Sequence, residues 1–170
     1  HALVRETLYE QLAPVEKVAL HRRFGTILED RHRSSLDEHL PELAYHFFAA
    51  AAGGEETKAL HYAELAGRHA RRILAYEEAA EQFQRALHLG ELGGFGEPER
   101  ECELLLALAE AKIRAGQGGE SSQACHRAAA IARRIGSSAL LARAAIGLCD
   151  VGVAWAEIGR SDDTLVHTLE

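Results

Sequence analysis

Three side chains have the types and spacing for metal chemistry. His39, Glu42 and His46 stand three and four residues apart, which on a helix places them on one face, with Glu38 close by. A metal site needs three or four such groups to converge, held by a hydrogen-bonded outer shell. The His-Glu-x-x-His order of zinc hydrolases is absent, so the three residues read as a polar stripe beside an aromatic face and no metal is expected. A metal-dependent hydrolase built on them is the enzymatic alternative. Cys125-His126 offers a thiol beside an imidazole, but adjacent helical residues point about 100° apart and do not form a dyad. Cys125 reads as a small core filler. Glu55-Glu56 and Glu77-Glu78 fall at helix starts, where the macrodipole favours negative charge. The stretch GELGGFGEP at 90–98 is glycine-rich, but it lacks the lysine and following Ser or Thr that a phosphate-binding loop requires. No catalytic residue is assigned, and the chain is read as no enzyme.

The elements that carry these residues are helices. The chain has 170 residues, 47% hydrophobic and 26% charged, with only three prolines, which favours helix over sheet and allows a sizeable core. A net charge of −7 argues against direct nucleic-acid binding by this segment. No apolar run is long enough to span a membrane and no signal peptide is visible. Three widely spaced cysteines read as free buried thiols, and a cytoplasmic setting is expected. The chain starts at His1 and contains no methionine, so an internal piece of a longer protein is expected.

Periodicity divides the chain into helices over 1–12, 15–29, a segment from about 36 to 52 interrupted by Pro41, 55–74, 76–89, 99–115, 120–135 and 138–148. Ser35 with Glu38 matches a capping box. Loops are expected at 30–35 and 90–98, and the two glycines of 151–160 predict a break that holds Trp155, read as a core anchor or a partner contact. The organising stretch is 59–89. Its first helix carries Ala63, Ala66, Gly67 and Ala70, and its second Ala79, Phe83 and Ala86. Small residues at this spacing let two helix backbones approach, with the aromatic filling the gap. Leu105, Leu108, Ala109 and Lys112 repeat the first set, and Ser121, Cys125 and Ala128 the second, each 42 positions on (121 − 79). Leu141, Ala144, Ala145 and Leu148 open a third pair.

The pattern resembles the tetratricopeptide family, whose unit is a helix-turn-helix of about 34 residues. Ala79, Phe83 and Ala86 meet the second-helix signature, and Gly67 the glycine of the first. Ala63 and Ala70 stand where that family has tryptophan and tyrosine, and Glu91 where it has the closing proline. The resemblance implies an all-α fold of antiparallel helix pairs stacked as a tetratricopeptide-like right-handed superhelix over 55–170. It also implies a concave surface lined by the first helix of each pair. His61, Glu64, Arg68 and Arg71 would lie on it, followed by Glu103, Leu106, Glu110 and Ile113. A charged groove with apolar spots suits a protein or peptide partner, and self-association is the other candidate.

Residues 1–52, with HALVRETLYEQLAP, LHRRF and LDEHLPELAYHFFAAA, resemble the segment that follows the nucleotide-binding core in STAND-type signal-transduction ATPases. Many of these are large LuxR-type transcriptional regulators or proteins fused to nucleotide cyclase domains. CELLLALAEAKIRAG and VGVAWAEIGR are similar to the same group. The resemblance implies that 1–52 closes a winged-helix-like element and that 55–170 is a regulatory module sensing a partner or inducer. ATP or ADP would be bound by the full-length protein, and no cofactor by this segment. His1 resembles the nucleotide-sensing histidine of related switch proteins, although Ala2 stands where an acidic residue is usual. The alternative is a structural spacer or oligomerisation scaffold between an ATPase or cyclase domain and an output domain.

Overall fold

The structure is a computed structural model that describes residues 9–156, with side chains from 9 to 149. It is all-helical, and no strand occurs among the described residues. α1 (Pro14–Arg31) opens with Pro14 in its first turn, where a missing N–H is no loss, and the Glu16 carboxylate accepts the Ala13 N–H at 2.8 Å. The next segment departs from the expected capping box. The Ser35 side chain makes no capping bond, and Leu36–His39 winds as a 3-10 turn. Pro41 explains this, because its ring excludes an α-helix continuing from before it, so α2 (Leu40–Ala50) starts afresh. A 3-10 turn at Ala51–Gly53 ends at Gly54, whose φ of 92° is left-handed. α3 (Glu56–Arg72), α4 (Tyr76–Gly93), α5 (Pro98–Arg114), α6 (Gly118–Ile135) and α7 (Ser138–Ala156) follow. Each helix packs on the next in sequence, and α5 also reaches α7. Short turns between consecutive partners make them antiparallel hairpins.

Every small residue that the spacing places between α3 and α4 is buried. Ala63, Ala66, Gly67, Ala70, Ala79, Phe83 and Ala86 all lie inside. A Cβ added at Gly67 would stand 2.7 Å from the Phe83 ring, so the glycine is what admits the aromatic. One repeat later the sizes are exchanged. Ala109 stands in place of Gly67 and the smaller Cys125 in place of Phe83. Ser121 replaces an alanine, and its buried hydroxyl donates to the Ala109 carbonyl at 3.0 Å, which satisfies it. The Cys102 thiol likewise points at the Ala128 carbonyl, 3.4 Å away.

The turns repeat bond for bond. Between α3 and α4, Ala75 N–H donates to Ala70 and Leu74 N–H to Arg71; Gln117 to Lys112 and Gly116 to Ile113 do the same between α5 and α6. Ser137 to Ala132 and Gly136 to Arg133 repeat it between α6 and α7. This helix end needs one left-handed residue. Gly116 and Gly136 supply it with φ of 76° and 70°, but in the first turn the position is Leu74, at φ 63°.

Two helices run on into expected breaks. α4 runs on to Gly93 rather than ending at Leu89, and the loop shrinks to 94–97. Gly90 does not stop the helix: it makes room for Phe95, whose ring occupies the space a Cβ would take and borders both apolar clusters of the core. α7 continues to Ala156 through the glycine at 152, because one helical glycine costs only about 1 kcal/mol against alanine. The Trp155 side chain and the remainder of the expected break, 157–160, lie outside what is described.

Leu74 is 68% exposed, so removing it forfeits little burial. Leu74→Gly should raise stability by about 0.5–1 kcal/mol by relieving the left-handed strain. Gly67→Ala should lower it by about 1–3 kcal/mol through overpacking against Phe83. Both are read as shifts in the urea unfolding midpoint at constant slope.

Candidate functional site

The charged residues assigned to the groove are brought together, but largely with one another. On α3, Glu64 is 14% exposed at its side chain and accepts on both oxygens. Arg68 donates to one at 2.6 Å, and the Nη2 and Nε of Arg100 on α5 donate to the other at 2.9 and 3.1 Å. Arg71 on α3 meets Glu110 on α5 at 2.6 Å. Glu103 on α5 meets Arg143 on α7 at 2.5 Å. These contacts form a ladder across α3, α5 and α7, the first helices of successive pairs. His61 stands apart, exposed, with its ring edge-on to Tyr62 at 5.3 Å. Leu106 is buried and Ile113 half-buried beside the ladder, where they line a groove of about 270 Å³ with Arg114, Arg143 and the exposed Ile146.

Arg100 and Arg143 were not singled out in the sequence. Their signal is weak, because each lies on a different helix from its partner, 36 and 40 positions away. Only the packing of α5 against α3 and α7 brings them to a carboxylate.

The other candidates do not converge. His39 Nδ1 faces Glu42 at 3.4 Å, and its ring lies against His32 with centroids 3.8 Å apart. His46 turns to His21 instead, Nδ1 to Nδ1 at 2.9 Å. Among the described residues no three His, Cys, Asp or Glu side chains are grouped to hold a metal ion. Cys125 is buried and His126 exposed, so they form no dyad. Burial pushes the Cys102 thiol above its ordinary value, with neighbouring Glu103 adding to the effect, so that thiol is a packing group and not a nucleophile. His1 lies outside the described residues.

A second polar cluster, missed from the sequence, ties α1 to α3. Glu29 accepts from Lys58 at 2.5 Å and from the buried Tyr62 at 2.6 Å. Burial alone would raise the Glu29 carboxyl, but the Lys58 and Tyr62 bonds outweigh it and hold it below its usual range. Tyr62 is raised in turn, first by burial and then by Glu29. Its ring stacks on Phe47 at 5.0 Å, and the Lys58 ammonium sits 4.7 Å over the Phe47 ring.

No helix among the described residues is long and apolar enough to cross a membrane. No family model matches the chain, and neither does any curated protein or solved structure.

The ladder's rungs differ in burial, and this sets their worth. Glu110 and Arg71 are about half exposed, so Glu110→Gln should cost well under about 1 kcal/mol, less at high salt. Glu64→Gln removes the charge and one of the two acceptor oxygens from a largely covered site shared by two guanidinium groups, and should cost about 1–2 kcal/mol. Urea titrations of both variants at low and high salt measure the contrast, and equal costs would contradict it.

Proposed function

We propose that the chain is a non-catalytic, tetratricopeptide-like interaction module, its helix pairs wound as a right-handed superhelix, from a STAND-type ATPase or large LuxR-type regulator. In this reading 55–170 binds a partner or inducer and 1–52 passes the result to a nucleotide switch elsewhere in the protein, where ATP or ADP would bind. The observation that carries it is the recurrence of one turn at three helix connections, α3–α4, α5–α6 and α6–α7, with buried positions at equivalent spacing in the first two pairs. Such recurrence lays the first helices side by side and builds one continuous face. With the ladder's charges paired internally, recognition on that face falls to the apolar residues Ile113 and Ile146 and to exposed Arg114. The occupant that fits is an extended segment of a protein partner.

The same ladder favours a second reading, a spacer that holds flanking domains at a set distance. It binds the first helices to each other and leaves few charges for a partner. The two readings differ in a measurable way. If the module senses, Ile113→Glu with Ile146→Glu in the full-length protein should abolish partner- or inducer-dependent oligomerisation, and Arg71→Ala should leave it nearly unchanged. If the double variant behaves as wild type, and removal of 59–170 alters neither activation nor assembly, the sensing role is wrong.

A further inference from the structure

α1 is thinly attached. Only His21 and Gly25 are buried along its length, while Val15, Phe24 and Ile27 stay exposed. Beside the Arg22–Glu55 pair, both packing and polar contacts hold it. Leu28 packs on the apolar cluster of α2 and α3, Val18 lies against Gly53, and Phe24 stacks on His46. The Phe47 ring of α2 lies against Gly25, Glu29 reaches Lys58 and Tyr62 of α3, and His21 meets His46 of α2. Since Gly25 has no side chain, the one fully buried side chain of α1 is a titratable ring.

The His21 contact has strict proton requirements. Its Nε2 lies 2.8 Å from the Tyr9 hydroxyl and its Nδ1 lies 2.9 Å from Nδ1 of His46. Between two Nδ1 atoms at that distance, one must carry a proton and the other must not. Two neutral arrangements meet this, with the donors running from Tyr9 to His46 or from His46 to Tyr9. A single extra proton still fits, although it charges a buried ring. A second proton sets two N–H groups and two positive charges against each other.

The surroundings give such charge little relief. Tyr9 faces His21 from the N-terminal turn, and Lys17 of α1 places a further cation 4.8 Å over the Tyr9 ring. From α2, Tyr45 stands edge-on to both rings, and Glu42 is the one carboxylate that favours a charged His46. Phe24 stacks on His46 from α1, and the turn at Ala51–Gly53, which also touches α1, has no titratable side chain.

We propose that the His21–His46 contact is an acid-sensitive clasp: the N-terminal half of α1 stays seated on α2 while the pair holds at most one proton and lifts away when both rings are charged, with α3 to α7 still folded. The direction of the linkage follows from burial. Desolvation holds both rings below the ordinary value of 6.5, His46 lowers His21 further, and Glu42 partly offsets the effect at His46. The freed rings then bind protons more readily than the docked ones. Docking is fully stable above 6.5 and weakens as pH falls through that value toward the depressed folded values. The Glu29 carboxyl, held low by Lys58 and Tyr62, stays ionised through this window and anchors the other end of α1. His32 and His39, their rings tilted against each other beyond that anchor, are partly exposed.

Hydrogen exchange of the whole chain at about pH 7.5 and about pH 5, corrected for the intrinsic rate, tests the clasp. Amides at 17–24 should lose at least about tenfold more protection than those of α4 to α6. His46→Gln, which can still bond to His21 but cannot charge, should remove most of that difference. Parallel loss across α1 and α4 to α6, or an unchanged difference in His46→Gln, would overturn the proposal. Should that variant fail to fold, imidazole NMR titration of the wild type decides. Coupled titrations below the ordinary value support the clasp, and two independent titrations at the ordinary value refute it.

Discussion

The close approach of α3 and α4 at Gly67 is the constraint on which the rest of the stack depends. Phe83 is fully buried, and it fits only because residue 67 has no side chain for its ring to meet. That contact sets the separation of the first hairpin, and each later interface solves the same problem with different volumes. Cys125 is the smaller knob of the second pair, and Gly147 of α7 leaves room for its sulfur, since a Cβ there would lie 2.7 Å from it. Packing this dense does not tolerate a change at one side without a compensating change at the other. Because each helix meets chiefly its neighbours in sequence, stability builds up locally, one interface at a time.

The charge ladder is a consequence of that spacing. Once the hairpins stack closely, α3, α5 and α7 lie near enough for Arg100 to reach Glu64 and for Arg143 to reach Glu103. Exposed pairs of this kind contribute little to stability, because solvent screens them and long side chains lose freedom in making them. Their stronger effect is on register, since shifting one hairpin along its neighbour would break several rungs together. The cost is functional: a guanidinium already held by a carboxylate is a poor recognition group. In the proposed interaction module, specificity on this face would rest on shape and on Ile113 and Ile146, and much less on the arginines that stand out in the sequence.

How far the structure was legible follows from the range of each signal. The buried stripe of Ala63, Ala66, Gly67 and Ala70, its repeat at Leu105 to Lys112, and the turn near Ala75 could be read because they obey local periodicity. Ser35 and Gly90 misled, since each has a local meaning that a neighbour overrides: Pro41 prevents the cap from leading into a helix, and Phe95 uses the glycine for space. Leu74 could not be found, because leucine has no preference for the left-handed conformation that the turn imposes on it. The site was the least legible part. Whether Arg71 faces a partner or Glu110 depends on how helices 39 positions apart pack, which periodicity does not encode.

The two parts of the stack are held by different physics. Around Gly67 and Phe83 the contacts are apolar and insensitive to pH. At the N-terminal edge they also pass through His21, His46, Glu29, Lys58 and Tyr62, so the attachment of α1 depends in part on protonation states and on directional bonds. A buried polar contact of this type is either fully made or expensive to keep, whereas an apolar interface can shift by degrees. The edge is thus a place where a change of charge can alter a helix contact without disturbing the repeated core. Its two polar anchors also respond over separate ranges, the histidine pair below the ordinary imidazole value and the Glu29 carboxyl only in stronger acid. Losing the first while keeping the second turns α1 about its Glu29 end instead of detaching it, so an opening at this edge is reversible and leaves α3 to α7 as the fixed frame to which α1 returns.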